Sequence, residues 1–251
     1  MTWARPAHSD FSVPPMTAAR ATQRRPLGYP TTRLARSEPA IPTWAVGSAA
    51  LAPVALTLAW ISADALQPSS YSPIHQTLSV LAGRAGADRW VMTAALFVVG
   101  ACYLMTAAGL RGLRDFPRAL LAVAGLSSVW VAVCPEPAHG STAQHLAWTA
   151  LGEVAIAVWP AFVTRRPTSR MPICRSQVWT ATTALSITLL GWLVIETQHG
   201  GALGLAERVS LSVQISVPFA VTLLLRRACV SDTAGARSPA RTSGAGHPGL
   251  G

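Results

Sequence analysis

The sequence predicts an all-α fold, a polytopic transmembrane bundle of six helices with a short interfacial helix after the first span. Composition is the first observation: of 251 residues, 51% are hydrophobic and only 12% charged, about half the charge density of an average soluble domain. The second is a set of six apolar runs in the middle of the chain, each long enough to cross a bilayer. The third is the placement of the 20 basic residues, all Arg, in alternate loops. Together these observations argue against a soluble enzyme.

The chain divides into three segments. Residues 1–42 hold seven Pro and six Arg without apolar periodicity, which predicts a disordered basic cytoplasmic tail. Residues 43–227 form the predicted six-helix transmembrane domain. Residues 228–251 are rich in Gly, Ser, Pro and Arg, so a second disordered cytoplasmic tail is expected there. Met16 is an alternative start to Met1, since either leaves a basic tail.

The six apolar runs each predict one membrane-spanning helix. They cover residues 43–66, 90–110, 116–134, 145–163, 177–195 and 205–225. Eight Trp residues lie close to the ends of these runs, as in the aromatic belts of membrane proteins. Pro53, Pro160 and Pro218 fall inside runs and predict kinks or local openings of the helical backbone.

The Arg residues predict the orientation. Seventeen lie in the two tails, in the second and fourth loops and just before the C-terminal tail at positions 226 and 227, whereas Arg84, Arg89 and Arg208 alone occupy the alternate loops. Cytoplasmic loops retain positive charge, so we expect a multi-pass cell-membrane protein with both termini in the cytoplasm. The net charge of +10 is then a topology signal, and the partner is the lipid bilayer rather than nucleic acid.

Under this topology, imidazole and carboxylate groups concentrate on the outer side. Loops must be polar somewhere, which is the simpler explanation for each residue alone. As a set they make a candidate outer-face polar site: Ser72, His75, Glu136, His139, His145, Glu153 and His199.

The first outer loop predicts the interfacial helix. Ser72 can cap a helix whose first residue is Pro73, and an apolar stripe at i, i+4 and i+7 starts at Ile74. Ser72 and His75 then either belong to a site or serve only as a cap and an interfacial polar residue.

The second outer loop leads into the fourth span. Ser141 opens a capping-box pattern, and His145, Thr149 and Glu153 follow one side of the helix inward. Glu153 then lies about 12 Å below His145, inside the apolar layer, where a carboxyl group needs a partner. If the outer cluster is one site, His75, His145 and Glu153 converge in one pocket; we expect partial convergence of the polar groups, without a complete metal shell.

The third outer segment places Glu207 and Arg208 in the first turn of the sixth span. Adjacent helical residues point about 100° apart, so each is a better partner for a neighbouring helix than for the other. This predicts a helix clamp.

Several of these motifs occur together in one known family. They are the turn at Tyr71, Ser72 and Pro73 that runs into residues 76–81, the His-bearing loop before the fourth span, and the Gly204, Leu205, Glu207 and Arg208 pattern. The combination resembles the bacterial domain-of-unknown-function family 998, over about residues 43–227. The resemblance implies a small membrane protein of about six spans and no particular reaction. His75 stands where many relatives have a small polar residue.

The sequence therefore favours a non-catalytic structural or regulatory bundle, or a bundle that binds a lipid or small molecule in a polar pocket on its outer face. The alternative is a metal-dependent membrane hydrolase, with zinc held by some of the outer histidines and Glu136 or Glu153 as general base. The spacing of His139 and His145 does not give two ligands on one helical face. No cofactor is predicted, catalytic residues remain unassigned, and whether a metal binds stays open.

Overall fold

The computed structural model describes residues 41–163 and 176–236, with side chains for residues 41–163 and 177–227. Within these ranges the chain is helical and has no β-strand, which confirms the all-α prediction. In chain order the elements are α1 (Thr43–Ala65), α2 (Leu78–Ala82), α3 (Trp90–Gly109), α4 (Asp115–Val133), α5 (Ala143–Val158), a 3-10 turn (Trp159–Phe162), α6 (Ser176–His199) and α7 (Leu203–Ala236).

Five segments of the described chain are long and apolar enough to cross a membrane: Thr43–Ala65, Trp90–Gly109, Asp115–Val133, Gln177–His199 and Leu203–Arg227. Large apolar side chains such as Leu58, Ile187 and Val194 lie on their outward faces with half or more of their surface exposed. Apolar surface on this scale is suited to lipid rather than to water. The chain is thus a membrane-type helical bundle, with five such helices where the sequence predicts six.

The fourth predicted span is the one that falls short. α5 covers 16 residues, and the chain continues from Val158 into the 3-10 turn that contains Pro160. Proline has no backbone N–H to continue the α-helical pattern, and the Val163 N–H instead donates to the Pro160 carbonyl at 3.1 Å. On its own, α5 is therefore shorter than a typical membrane span.

Two predicted helix starts are wrong in detail. Thr142, not Ser141, caps α5, and its hydroxyl oxygen accepts the His145 N–H at 3.2 Å. The predicted helix from Pro73 is only a turn, in which the Gln76 N–H donates to the Ser72 carbonyl at 2.8 Å. Extended backbone at Thr77 (φ −71°, ψ 163°) interrupts that turn, so α2 begins only at Leu78. The interfacial helix is therefore not confirmed.

Helices α3 and α4 approach each other closely at two glycines. A Cβ atom on Gly100 would lie 2.7 Å from the Gly125 carbonyl oxygen, and one on Gly125 would lie 2.8 Å from the Gly100 carbonyl oxygen. Small residues of this kind allow membrane helices to pack backbone against backbone. α1 packs on α3, α4 packs on α5, and α7 packs on α1, α5 and α6.

The connections after α1, α4 and α6 lie at one end of the bundle. The Leu205 N–H donates to the Ile74 carbonyl at 3.0 Å, and the Arg84 N–H donates to the Glu136 carbonyl at 2.9 Å. We call this the carboxylate end, because most of the described acidic residues lie at or near it: Asp64, Asp88, Glu136, Glu196 and Glu207.

The last helix is longer than the sixth predicted span. α7 continues to Ala236, beyond the predicted tail boundary at residue 227. Residues 228–234 contain neither Gly nor Pro, so nothing in their covalent structure interrupts helical hydrogen bonding. The other predicted tail residues, 1–40 and 237–251, lie outside the described residues.

Candidate functional site

Arg208 joins three parts of the chain at the carboxylate end. Its side chain is buried in the first turns of α7. One terminal nitrogen, Nη1, donates to the carbonyl oxygens of Pro73 (2.8 Å), Gln76 (2.9 Å) and Gly204 (3.1 Å). The other, Nη2, donates to the Asp64 carboxylate at 3.0 Å and to the Tyr71 hydroxyl. The planar guanidinium group, which presents several donors in fixed directions, suits such a set of acceptors.

Tyr71, which accepts a hydrogen bond from Arg208, has a raised pKa. Burial raises the pKa of Tyr71 to about 12; the Asp64 carboxylate acts in the same direction, and the Arg208 guanidinium opposes both. The Tyr71 hydroxyl therefore keeps its proton at neutral pH. The Arg208 guanidinium is also 5.6 Å from the centre of the Trp60 ring, within cation–π range.

Glu207 points in a different direction from Arg208, as the 100° offset of adjacent helical residues requires. Its carboxyl group is buried, and one oxygen accepts the backbone N–H of Leu78, the first residue of α2. Glu207 thus holds α2 against α7, while Arg208 holds the preceding turn. Both residues contact neighbouring segments of the chain, and their role as a clamp stays a prediction.

His145 is fully buried at the start of α5. Its Nδ1 is 2.8 Å from the Cys134 carbonyl oxygen, which can only accept, so Nδ1 carries a hydrogen. Its Nε2 is 3.3 Å from the Ser79 hydroxyl oxygen and 3.7 Å from a carboxylate oxygen of Glu136. The imidazole therefore links α2 to the connection between α4 and α5.

A cavity of about 110 Å³ lies inside the bundle below α2. That is several times the roughly 10–15 Å³ that one water molecule needs. Its walls come from α1, α2, α3, α4, α5 and α7 and are mainly apolar, with Leu96, Val99 and Trp148 among them. Eight polar side chains also line it: Ser79, Tyr103, Ser127, Ser128, Thr149, Glu153, Glu207 and Gln214.

Some of these polar groups are buried without a partner. The hydroxyl oxygens of Ser127 and Thr149 have no hydrogen bond, and neither does the side-chain oxygen or nitrogen of Gln214. Ser127 and Gln214 are each only 1% exposed. Leaving such a group unpaired costs about 1–3 kcal/mol, so the cavity offers both donors and acceptors to an occupant.

Glu153 is the acidic residue that the sequence predicts to lie deepest in the apolar layer of the membrane. The structure puts it in the cavity wall, 7% exposed, and Glu207 lines the same cavity. Within the described ranges, no hydrogen-bond donor contacts its carboxyl group. The cavity thus contains an acidic group that the surrounding protein does not satisfy.

The predicted candidate residues are not all brought together. His145 contacts Glu136, and Glu153 lines the cavity, but His75 and His139 are exposed to the surroundings. His199 is exposed too, with its Nδ1 2.9 Å from the Ile195 carbonyl oxygen. His75 does not join His145 and Glu153, because the turn at residues 72–76 presents its backbone carbonyls to α7; the outer-face polar site as a whole stays a prediction.

Ser72 does not act as the predicted helix cap. The bond that Ser72 makes to a nearby side chain comes from its backbone: the Ser72 N–H donates to the side-chain oxygen of Gln76 at 3.3 Å.

Among the residues with described placement, no group of three or more His, Cys, Asp and Glu side chains is arranged to hold a metal ion. The donor set required for the hydrolase alternative is thus not assembled there.

Sequence reasoning missed Ser127, Gln214 and Tyr71. A signal for Gln214 was available, because an amide in the middle of an apolar run is costly unless it has a function or a partner. Ser127 gave a weaker signal, since a small hydroxyl residue in a membrane helix commonly bonds its own backbone. Tyr71 gave no signal, because it lies in a loop and its partner Arg208 is 137 residues away in the sequence.

Comparison with known proteins finds one family. The family described as "protein of unknown function (DUF998)" matches residues 50–224 of the chain. No curated protein matches the chain. No solved structure matches it either.

Proposed function

The chain belongs to the DUF998 family, whose function is unknown, so we propose its function from the cavity itself. The family match confirms the resemblance that the sequence motifs indicate. The protein is a non-catalytic, multi-pass cell-membrane protein that binds a small molecule or lipid group between α3, α4, α5 and α7. Its other partner is the surrounding lipid bilayer.

The observation that supports binding is the coincidence of space with unsatisfied polar groups. Ser127, Thr149 and Gln214 present four buried polar atoms without partners to one volume. In a purely structural core, apolar residues at these positions avoid that cost. An occupant with an apolar body and a few hydrogen-bonding groups satisfies both the walls and these atoms, as is usual in ligand sites.

The proposal includes six membrane crossings, with α5 and the 3-10 turn forming the fourth. At about 1.5 Å per α-helical residue and 2.0 Å per 3-10 residue, the 16 and four residues together extend roughly 32 Å. This is close to the thickness of a hydrocarbon core, about 30 Å. Leu146, Leu151 and Val154 on α5 are about half exposed, which suits a surface that faces lipid.

The proposed orientation has the carboxylate end outside and both termini in the cytoplasm. Arg111 and Arg114 lie between α3 and α4, and Arg118 lies in the first turn of α4, at the opposite end of the bundle. Positive loops stay on the cytoplasmic side. The cavity, below α2, then lies in the outer half of the membrane.

Access to the cavity can be tested with a thiol placed in its wall. We expect Ser127→Cys, in the full chain with the four native cysteines replaced by Ala, to react with the uncharged reagent methyl methanethiosulfonate. The matched control is Ser186→Cys, which is equally buried but outside the cavity lining. The rate at position 127 should exceed that at position 186 by at least about tenfold, a difference of 1.4 kcal/mol.

Occupancy is tested in the same experiment. Benzyl alcohol, which has an apolar ring and one hydroxyl group, should slow the reaction at position 127 in a saturable manner. Equal, very slow rates at both positions, or a rate that benzyl alcohol leaves unchanged, would overturn the proposed binding function.

A further inference from the structure

The cavity has acidic side chains in its lining and no cationic side chain to match them. Glu153 and Glu207 both line it, and no Arg or His is among its lining residues. A carboxylate in a low-dielectric interior requires a cation or a proton. The question is which group supplies the positive charge.

The nearest described cationic side chains are already engaged elsewhere. Arg208 follows Glu207 in the chain, but its terminal nitrogens bond to Asp64, Tyr71 and backbone carbonyls at the carboxylate end. His145 directs its Nδ1 hydrogen to the Cys134 carbonyl, and its Nε2 lies beside Ser79 and Glu136. Neither residue is among those that line the cavity, although the buried Nε of Arg208 has no hydrogen-bond partner and its positive charge acts on the adjacent Glu207.

The two acidic residues are not equivalent. Glu207 already accepts a hydrogen bond from the Leu78 N–H, so it has a structural role in holding α2. Glu153 has no hydrogen-bond partner among the residues that the structure describes, although it is almost completely buried. It is therefore the carboxyl group available to an occupant.

The uncharged polar atoms near Glu153 define the rest of the ligand. The side-chain oxygens of Ser127, Thr149 and Gln214 are unpartnered acceptors, and an ammonium group carries three hydrogens to donate. We propose, building on the proposed binding function, that the occupant is a small organic amine in its ammonium form, with Glu153 as its counter-ion and its apolar part against the cavity walls.

The charge preference is measured with reagents of opposite charge. In the same cysteine-free background, the thiol introduced by Ser127→Cys is treated with cationic 2-aminoethyl and anionic 2-sulfonatoethyl methanethiosulfonate. The exposed substitution Ser141→Cys gives the reference ratio of the two rates. At position 127 we expect the cation-to-anion ratio to exceed the reference by about tenfold or more, and Glu153→Gln should return it to the reference.

The possible failures are distinguishable. If neither these reagents nor the uncharged one reacts at position 127, the proposed binding function fails. If the uncharged reagent reacts and benzyl alcohol protects, but the ratio equals the reference, binding stands and the amine inference is overturned. In that case Glu153 holds a proton.

A second measurement avoids the Glu153 variant, which can fail to fold. Benzylammonium and benzyl alcohol have the same ring and differ mainly in charge. With Glu153 present, benzylammonium should protect the thiol at position 127 from the uncharged reagent at a concentration at least about tenfold lower. Equal protecting concentrations would contradict the inference.

Discussion

Arg208 presents its guanidinium to acceptors from the end of α1, the turn before α2 and its own helix. A buried cation is stable only when such acceptors surround it, and the loss of a partner leaves uncompensated charge. The contribution of this residue therefore depends on the shape of its head group as well as on its charge. A lysine ammonium has the charge without the planar fork.

We predict that Arg208→Lys lowers the free energy of unfolding by about 2–3 kcal/mol, because several buried acceptors lose their donor. The measurement is thermal unfolding of the full chain in detergent, with Arg84→Lys as control, since Arg84 is exposed. Equal melting temperatures for the two variants would show that the guanidinium geometry is dispensable.

At the scale of the helices, the contact between α3 and α4 sets how closely the cavity walls approach. Gly100 and Gly125 place each backbone against the other, and the cavity-lining residues Val99 and Ala124 directly precede them. Any added side chain there must separate the helices. At Gly191 in α6, by contrast, an added Cβ would meet nothing within 4 Å.

We predict that Gly100→Ala destabilises the protein by about 1–3 kcal/mol, the usual cost of overpacking. A Cβ at this position would lie 2.6 Å from a Val129 methyl carbon and 2.7 Å from the Gly125 carbonyl oxygen. The matched control is Gly191→Ala, where nothing lies within 4 Å; alanine's higher helix propensity should leave that variant as stable as the parent or more so. Thermal unfolding in detergent distinguishes the two outcomes.

The helices themselves were predictable, because long apolar runs determine them locally. The predicted third-helix span at 116–134 differs from α4 by one residue at each end. The end of α5 was less predictable, since Pro160 permits either a kinked helix or the observed 3-10 turn. The site was only partly predictable: Glu153 stood out by its depth, whereas its neighbours Ser127 and Gln214 come from other helices, and tertiary packing alone brings them together.

For the whole molecule, the two ends of the bundle differ in chemistry. Acidic side chains and the Arg208 contacts occupy the carboxylate end. The opposite end has Arg118, whose Nε donates to the Ala107 carbonyl at 2.9 Å and whose Nη1 contacts Asp115 at 3.2 Å. This difference is the basis of the proposed orientation in the membrane.

We predict that reporter proteins fused after Ala138 and after Arg170 report the outside and the cytoplasm respectively, because α5 and its 3-10 turn cross the membrane between them. Alkaline phosphatase, active outside, and a fluorescent protein, active inside, make complementary readouts. The same location for both fusion points would contradict the fourth crossing, and with it the count of six.

The contacts of Arg208 and Glu207 also have a consequence for biosynthesis. Their partners Asp64, Tyr71 and Leu78 precede them by 129 to 144 residues. A ribosome makes the chain from its N-terminus, so these partners are synthesised and delivered to the membrane long before residue 208 exists. The loop after α1 therefore lacks the Arg208 guanidinium until α7 has been inserted into the membrane. Assembly of this end is therefore a late event, and a nascent chain that stops before α7 leaves it unfinished however well its earlier helices have entered the bilayer.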